Sequence, residues 1–334
     1  MTEELLVTAR TNPLIDPSLH IWTWEVAMYL FLGGVTAGII IFAAVVALMK
    51  KDREAPFASD RLALLAPIVL SLGMTTLFLD LEHKQFTFRF YRTFKLLSPM
   101  SWGAWILIII YPLSLLQIFA TLRRGYPQIA GYVDMLAPGR AIVDWCEAHR
   151  REISLVAIPV GVGLGVYTAI RLSAVSARPV WNTGVLAPLF LASGLSTAAA
   201  AVALLTKHHG ERAWFTRIDI YLIIVELALV ALFIINLATG SAPQLQALEC
   251  CIVGGPHTFA FWVLFVGIGL LIPLLLEILE IRGLGKPLAL TAAVLVLFGG
   301  YTLRHVMMEV GQESTWTRYE TQYNAELMQR LEFE

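Results

Sequence analysis

Glu25 and Tyr29 open one long apolar run of this chain, Asp80, Glu82 and His83 close another, Tyr167 and Arg171 close a third, and Arg304, His305 and Glu309 close a fourth. Ionisable groups beside sequence of lipid-like character are costly there, and so mark a pathway or a ligand site. The set suits a hydrophobic redox carrier that exchanges two protons together with its electrons. Its ring needs aromatic and apolar walls. Its oxygens need donors such as Tyr167 or His83, and its protons need a carboxylate such as Asp80 or Glu82.

Each of these residues also has a plainer reading. Arg171, Arg304 and Glu309, each taken alone, read more simply as interfacial anchors. Glu226 sits within Leu222-Ile223-Ile224-Val225-Glu226-Leu227, where an exposed carboxylate is hard to tolerate. It either hydrogen-bonds inside the protein or belongs to a proton route. Glu277 and Glu280 extend such a route or are solvated charges at a helix end.

The elements that must position these groups are membrane helices. The 334 residues are 57% hydrophobic and only 15% charged, with mean hydropathy +0.71; soluble domains carry roughly a quarter charged residues. Eight segments are long enough for a core that needs about 20 residues. They run near Trp22 to Met49, Leu62 to Leu81, Met100 to Leu122, Ile153 to Leu172, Val185 to Thr206, Ile218 to Ala238, Thr258 to Leu279 and Pro287 to His305. The first is far longer than the apolar core of a cleavable signal, and is expected to stay in the mature protein.

Most of the Lys and Arg lie in the connections after the odd-numbered segments, including Lys50, Lys51, Arg53, Arg123, Arg124, Arg150, Arg151, Lys207 and Arg212. The positive-inside rule then places both termini on the outer side, periplasmic in the inner membrane of a Gram-negative bacterium. Lys84, Arg89, Arg92 and Lys95 crowd one outer connection, whose aromatics either hold a soluble partner or anchor at headgroups. On the inner side the longest connection, 123–152, carries an amphipathic run from Arg140 to Arg150 that suits the membrane surface.

The chain also repeats itself. Trp22 through Leu30-Phe31-Leu32 into Gly33 and Gly34 matches Trp181 through Leu189-Phe190-Leu191 into Ala192, Ser193 and Gly194. Helices three and seven both open with a Pro followed by Trp, and helices four and eight end Gly165-Val166-Tyr167-Thr168 and Gly300-Tyr301-Thr302. The orientation is the same in both halves, which predicts a parallel repeat. The expected architecture is all-α: an outer tail at 1–21, a four-helix bundle over 22–172, a second over 181–305, and an outer tail at 306–334.

Several functions are unsupported. The seven histidines fall in loops or at helix ends, which argues against a bundle haem. Cys250 and Cys251 are adjacent and Cys146 is predicted on the other side, so no four-thiolate cluster is expected. There is no P-loop, no dinucleotide fingerprint, no metal-ligand pattern and no basic block for nucleic acid.

The residues do carry a resemblance. Trp22-x-Trp24 leading to Tyr29-Leu-Phe-Leu-Gly-Gly, Leu79-Asp80-Leu81, Ser98-Pro-Met-Ser-Trp-Gly-Ala-Trp105, Arg178-Pro-Val-Trp181-Asn182 and Gly299-Gly-Tyr301 to Gly311-Gln312 resemble the NrfD family over residues 20–312. These are the membrane subunits of polysulfide reductase, nitrite-reductase electron transfer and related respiratory complexes. The resemblance implies two four-helix bundles with no cofactor of their own, binding quinone or quinol, as menaquinone or ubiquinone, near the outer face. It implies electron exchange with a peripheral ferredoxin-like iron-sulfur subunit, which relays to a molybdopterin enzyme or a multihaem cytochrome.

In the polysulfide-reductase branch a Tyr fourteen residues before the Trp of Arg-Pro-x-Trp contacts quinone, and Tyr167 keeps that position. The branch's Asn and His in helix one are Val26 and Tyr29 here, so that pair is not kept and Glu25, Asp80 and His83 gain interest. The resulting expectation is a quinone site of Tyr167, Asp80, His83, Glu82, Glu25, Tyr29 and Arg171, with Asp80, Glu226 and Glu277 moving protons and energy conservation across the membrane left open. The competing expectation is a secondary transporter. No pair of broken helices meeting at mid-depth speaks for it.

Overall fold

Eight helices long and apolar enough to cross a membrane follow one another: α1 Trp24–Leu48, α2 Leu62–Asp80, α3 Pro99–Phe119, α4 Arg150–Ser173, α5 Leu186–Leu205, α6 His209–Thr239, α7 Ala260–Ile281 and α8 Leu288–Glu313. The computed structural model describes residues 21–175, 177–283 and 288–314, without the side chains of Cys250 and Cys251. The expectations for 1–20, 315–334, His20 and Lys286 lie outside the described residues. Among the described residues there is no strand. This is a multi-pass membrane protein. Helix is what such sequences adopt, because lipid offers no water to satisfy backbone groups.

Two boundaries differ from the sequence reading. α6 begins at His209 instead of near Ile218, and α8 continues to Glu313 past His305. In α6 the added turns carry charge that the protein itself satisfies. His208 caps α6 by accepting from the Glu211 amide at 3.2 Å, and Arg212 donates to the carbonyls of Ala203 (2.9 Å) and Thr206 (2.8 Å). α7 starts as a π-helix over Ala260–Leu271 and continues as α-helix from Ile272.

α1 is the most enclosed span. It packs on α2, α4 and α5 and touches α8, while α3 covers α4 and α2; α5 packs on α6 and α8, and α7 on α8. The α1 and α5 backbones meet at Gly34 and Gly194, where a Cβ on Gly194 would stand 2.8 Å from the Gly34 carbonyl. Small residues permit that approach where lipid gives helices no hydrophobic reason to associate. Outward faces stay apolar, with Leu72, Ile109, Ile235 and Leu275 exposed.

Trp22 marks one end of the helices and Asp52 the other. At the Trp22 end the motif residues act as clips. The Trp181 indole is fully buried, donates to the Met307 carbonyl at 2.7 Å and lies 5.5 Å from the Trp22 ring. Gln312 accepts from the Trp22 amide at 2.9 Å and donates to its carbonyl at 2.8 Å, and Arg178 donates to the Gln312 carbonyl at 3.1 Å. The start of α1 is thereby tied to the end of α8.

At the Asp52 end, buried Glu211 accepts from the amides of Phe57 (3.1 Å) and Ala58 (2.7 Å) at the start of a short helix, Pro56–Asp60. A carboxylate suits those free amides. The long connection folds into helices Pro127–Asp134 and Ala137–Ala148, the second burying Val143 and Cys146 and exposing Ile142 and Trp145. Arg123 fastens it, pairing with Asp134, Asp144 and Glu147.

Candidate functional site

A cavity of about 270 Å³ opens between the Trp22 ends of α1 to α4. Its walls are apolar: Met74 and Leu77 from α2, Met100 and Leu107 from α3, and Phe90 from the connection over 81–98. Phe78 and Met100, on the lining, are among the exposed apolar side chains, so the mouth faces outward at membrane depth.

Tyr29 of α1, Tyr91 of the connection, and Tyr167 and Arg171 of α4 also line it. Tyr29 is 4% exposed and Tyr167 5%, yet neither hydroxyl has a protein hydrogen-bond partner among the described residues. A buried side chain whose unpaired hydroxyl faces a cavity is an invitation to a ligand with oxygen acceptors. Tyr167 reaches this position because α3 offers Gly103 beneath its ring, where any Cβ would overlap the Tyr167 hydroxyl. Burial pushes the Tyr91 phenol above its ordinary range, and Tyr111 nearby adds to the shift, so Tyr91 remains a donor. The Arg171 guanidinium stands 5.8 Å from the centre of the Trp22 ring.

Asp80 ends α2 beside the cavity without lining it. It is within electrostatic reach of Glu25 and Arg171. Glu25 accepts from the Thr23 hydroxyl and is near Tyr301. Glu82 and His83 lie further out, both exposed, with the His83 ring against Phe86 at 6.3 Å. The structure thus gathers Tyr29, Tyr167 and Arg171 on one cavity, sets Glu25 and Asp80 at its edge, and leaves Glu82 and His83 outside.

Glu226 and Glu277 belong elsewhere. They are 1% and 3% exposed within α6 and α7 and are separated from Asp80 by α1. Glu277 is therefore not a solvated helix-end charge. Arg304, read above as an anchor, is also a correction: it is 1% exposed, donating to the carbonyls of Phe190 (2.9 Å) and Gly300 (3.0 Å) and to Ser193 (2.5 Å). The sequence reading missed Asp219, 1% exposed and bound by Ser196 at 2.6 Å. A signal existed, since Asp219 and Glu226 are seven residues apart and share a helix face. Starting the helix at Ile218 hid it.

No group of three His, Cys, Asp or Glu side chains among the described residues could hold a metal ion. The motif residues, by contrast, sit where a shared architecture needs them, in the clips and around the cavity. The family model for polysulphide reductase NrfD matches residues 11–314. The chain belongs to the NrfD family. Similar members include one of the chains of polysulfide reductase from Wolinella succinogenes, 26% identical over 87% of the present sequence and 94% of its own, and protein NrfD of Escherichia coli, 29% identical over 87% and 95%. A selenate reductase subunit from Mesobacillus selenatarsenatis is 23% identical over 76% of the present sequence and 66% of its own length. The structure sets Tyr29 and Tyr167 on the walls of one cavity.

Proposed function

We propose that this NrfD-family protein is the quinone-reactive membrane subunit of a respiratory reductase complex, exchanging electrons between membrane quinone and a peripheral iron-sulfur subunit. The observation that carries the proposal is the pair of buried phenols, Tyr29 and Tyr167, without protein partners on an apolar cavity open at membrane depth. Such walls take a quinone ring, and the two hydroxyls, with Arg171, supply donors for its oxygens. In the oxidising direction one quinol becomes quinone, two protons and two electrons. Asp80, beside Glu25 and Arg171, takes a proton at the cavity edge, and exposed His83 and Glu82 lie on its way to water. The electrons leave one at a time to clusters in the partner, which relays to a molybdopterin or multihaem catalytic subunit. The polysulfide and selenate reductase relatives are each one component of a larger reductase, which supports a multi-subunit setting.

We place the Asp52 end, with its Lys and Arg, on the inner side of the bacterial cytoplasmic membrane, and the cavity and both termini on the outer side. α1 to α4 and α5 to α8 read as two four-helix bundles in parallel repeat; the matched indoles Trp22 and Trp181 in contact, and the matched small-residue stretches crossing at Gly34 and Gly194, support this.

The test is quinol-dependent reduction of the iron-sulfur clusters in the co-purified complex. Tyr167→Phe should weaken quinol binding about fivefold to tenfold, the loss of one hydrogen bond of about 1 kcal/mol, and Asp80→Asn should lower the rate with assembly intact. Native complex that neither binds nor oxidises quinol, together with solute movement by the isolated protein in liposomes, would replace this reading with a transporter.

A further inference from the structure

The second half of the sequence buries more acid than the quinone site uses. Asp219 and Glu226 of α6 and Glu277 of α7 are all at least 97% buried. One buried cation, Arg304, is within electrostatic reach of Glu226, and Ser193, to which Arg304 donates, also reaches Glu226. One guanidinium balances one carboxylate. The remaining two acids are tolerated in lipid only if hydrogen-bonded and short of full charge.

Asp219 and Glu277 meet that condition through each other. The two carboxyl groups are close neighbours where α6 packs on α7, near enough to share a hydrogen bond. Two carboxylates have no donor between them, so the contact requires a proton on one of the two. Ser196 supplies the second donor, its hydroxyl bonding Asp219 Oδ1 at 2.6 Å. Asp219 Oδ2, Glu277 Oε2, Glu226 Oε1 and the Thr216 hydroxyl are buried, and none has a donor from the surrounding helices among the described residues. That leaves spare hydrogen-bonding capacity along one line of the interior.

The line has a direction. Glu277 lies one turn from the end of α7, about 6 Å at 1.5 Å per residue, and Glu280 stands at that end near Arg212, on the Asp52 side. Asp219 is about 15 Å along α6 from its first residue, and Glu226 about 26 Å. Arg304 closes the far end. Its guanidinium lies 3.0 Å from where a Cβ of Gly34 would be, against the α1 and α5 crossing, and its positive charge opposes passage of a proton towards the cavity.

We infer that Asp219 and Glu277 form a proton-binding pair, loaded from the Asp52 end through Glu280 and stopped at Glu226 by Arg304. The chemistry is transfer of a proton alone: it binds a carboxylate oxygen of the pair from water and returns by the same path. The site shares no residue with the quinone cavity, so it stands or falls separately from the quinone reading.

Infrared difference spectroscopy of the intact complex in lipid nanodiscs reads the pair directly, in the carbonyl stretch of protonated carboxyl groups and its shift in D2O. Asp219→Asn and Glu277→Gln should each remove one such band, because the two share one proton. Ser196→Ala keeps both acids, and should move the same band without abolishing it; this arm remains informative if an acid variant does not fold. In sealed vesicles of the complex, D2O added on the Asp52 side should exchange the band at least tenfold faster than D2O added on the Trp22 side, and Glu280→Ala should slow that exchange. A band indifferent to Asp219→Asn, Glu277→Gln and Ser196→Ala overturns the pair, and faster exchange from the Trp22 side overturns the direction. Quinol turnover in the same samples is recorded independently, so loss of turnover with the bands unchanged counts against the quinone site and not against the pair.

Discussion

Tyr167 rests its ring on Gly103, across the interface of α4 and α3, so closely that a methyl group on Gly103 would occupy the position of the Tyr167 hydroxyl. The phenol is therefore held at the cavity by the absence of a side chain opposite it. A residue of α3 without a side chain decides where a residue of α4 presents its donor.

Gly103→Ala should accordingly displace Tyr167 and raise the quinol KM about fivefold to tenfold, the worth of one hydrogen bond. The helix itself should not weaken, since Ala is favoured over Gly in a helix interior. Gly163→Ala in α4, where nothing lies within 4 Å of the added carbon, is the control that should leave quinol kinetics unchanged. Steady-state assay of the complex beside thermal unfolding in detergent separates the two effects.

The crossing of α1 on α5 admits no volume at Gly194, whose added Cβ would stand 2.8 Å from the Gly34 carbonyl. Gly194→Leu should push the helices apart and lower stability by about 1–3 kcal/mol or more, the range for overpacking. Reduced yield of assembled complex and a lower melting temperature are the expected results. An unchanged melting temperature would show that the two helices do not meet there.

Removing Arg304 while keeping its surroundings leaves Glu226 buried without its cation. Arg304→Leu should destabilise by about 3–5 kcal/mol, the range for breaking a buried pair from one side. Adding Glu226→Gln should recover part of that loss, measured as a double-mutant cycle on melting temperature. Additive losses would mean that the two groups do not interact.

Asp52 gives a pH dependence outside the membrane spans. Burial raises its carboxyl, but hydrogen bonds from Arg150 (3.0 and 3.1 Å) and Ser59 (2.6 Å), with the charges of Arg150 and Arg124, bring it net below the ordinary carboxylate range. A lowered folded value means stability that is present above the unfolded value of about 3.9 and is lost as pH falls through the folded one. The side chain is 36% exposed, so solvent screening limits the contribution to about 0.5–1 kcal/mol. Native protein should melt above Asp52→Asn at pH 7, and the gap should close below about pH 4.

The sequence alone determined the eight spans, because hydrocarbon thickness and backbone satisfaction act on each segment by itself and leave a direct record in length and composition. It also made Tyr29 and Tyr167 legible as phenols at the ends of apolar runs, the first opening its run and the second closing one. What a charge does inside the bundle was not legible. Arg304 read as an interfacial anchor, Glu277 as either part of a proton route or a solvated helix end, and Asp219 passed as a residue at the start of a span. All three are buried, since the fold brings the Ser193 and Phe190 turn of α5 to Arg304 and sets α6 against α7 at Asp219 and Glu277. A charge is solvated or enclosed according to its neighbours in space, and those neighbours are distant in sequence. The same holds for the separation of Asp80 from Glu226 and Glu277: one list of acids in the sequence becomes two sites, because α1 and its glycine crossing with α5 stand between them.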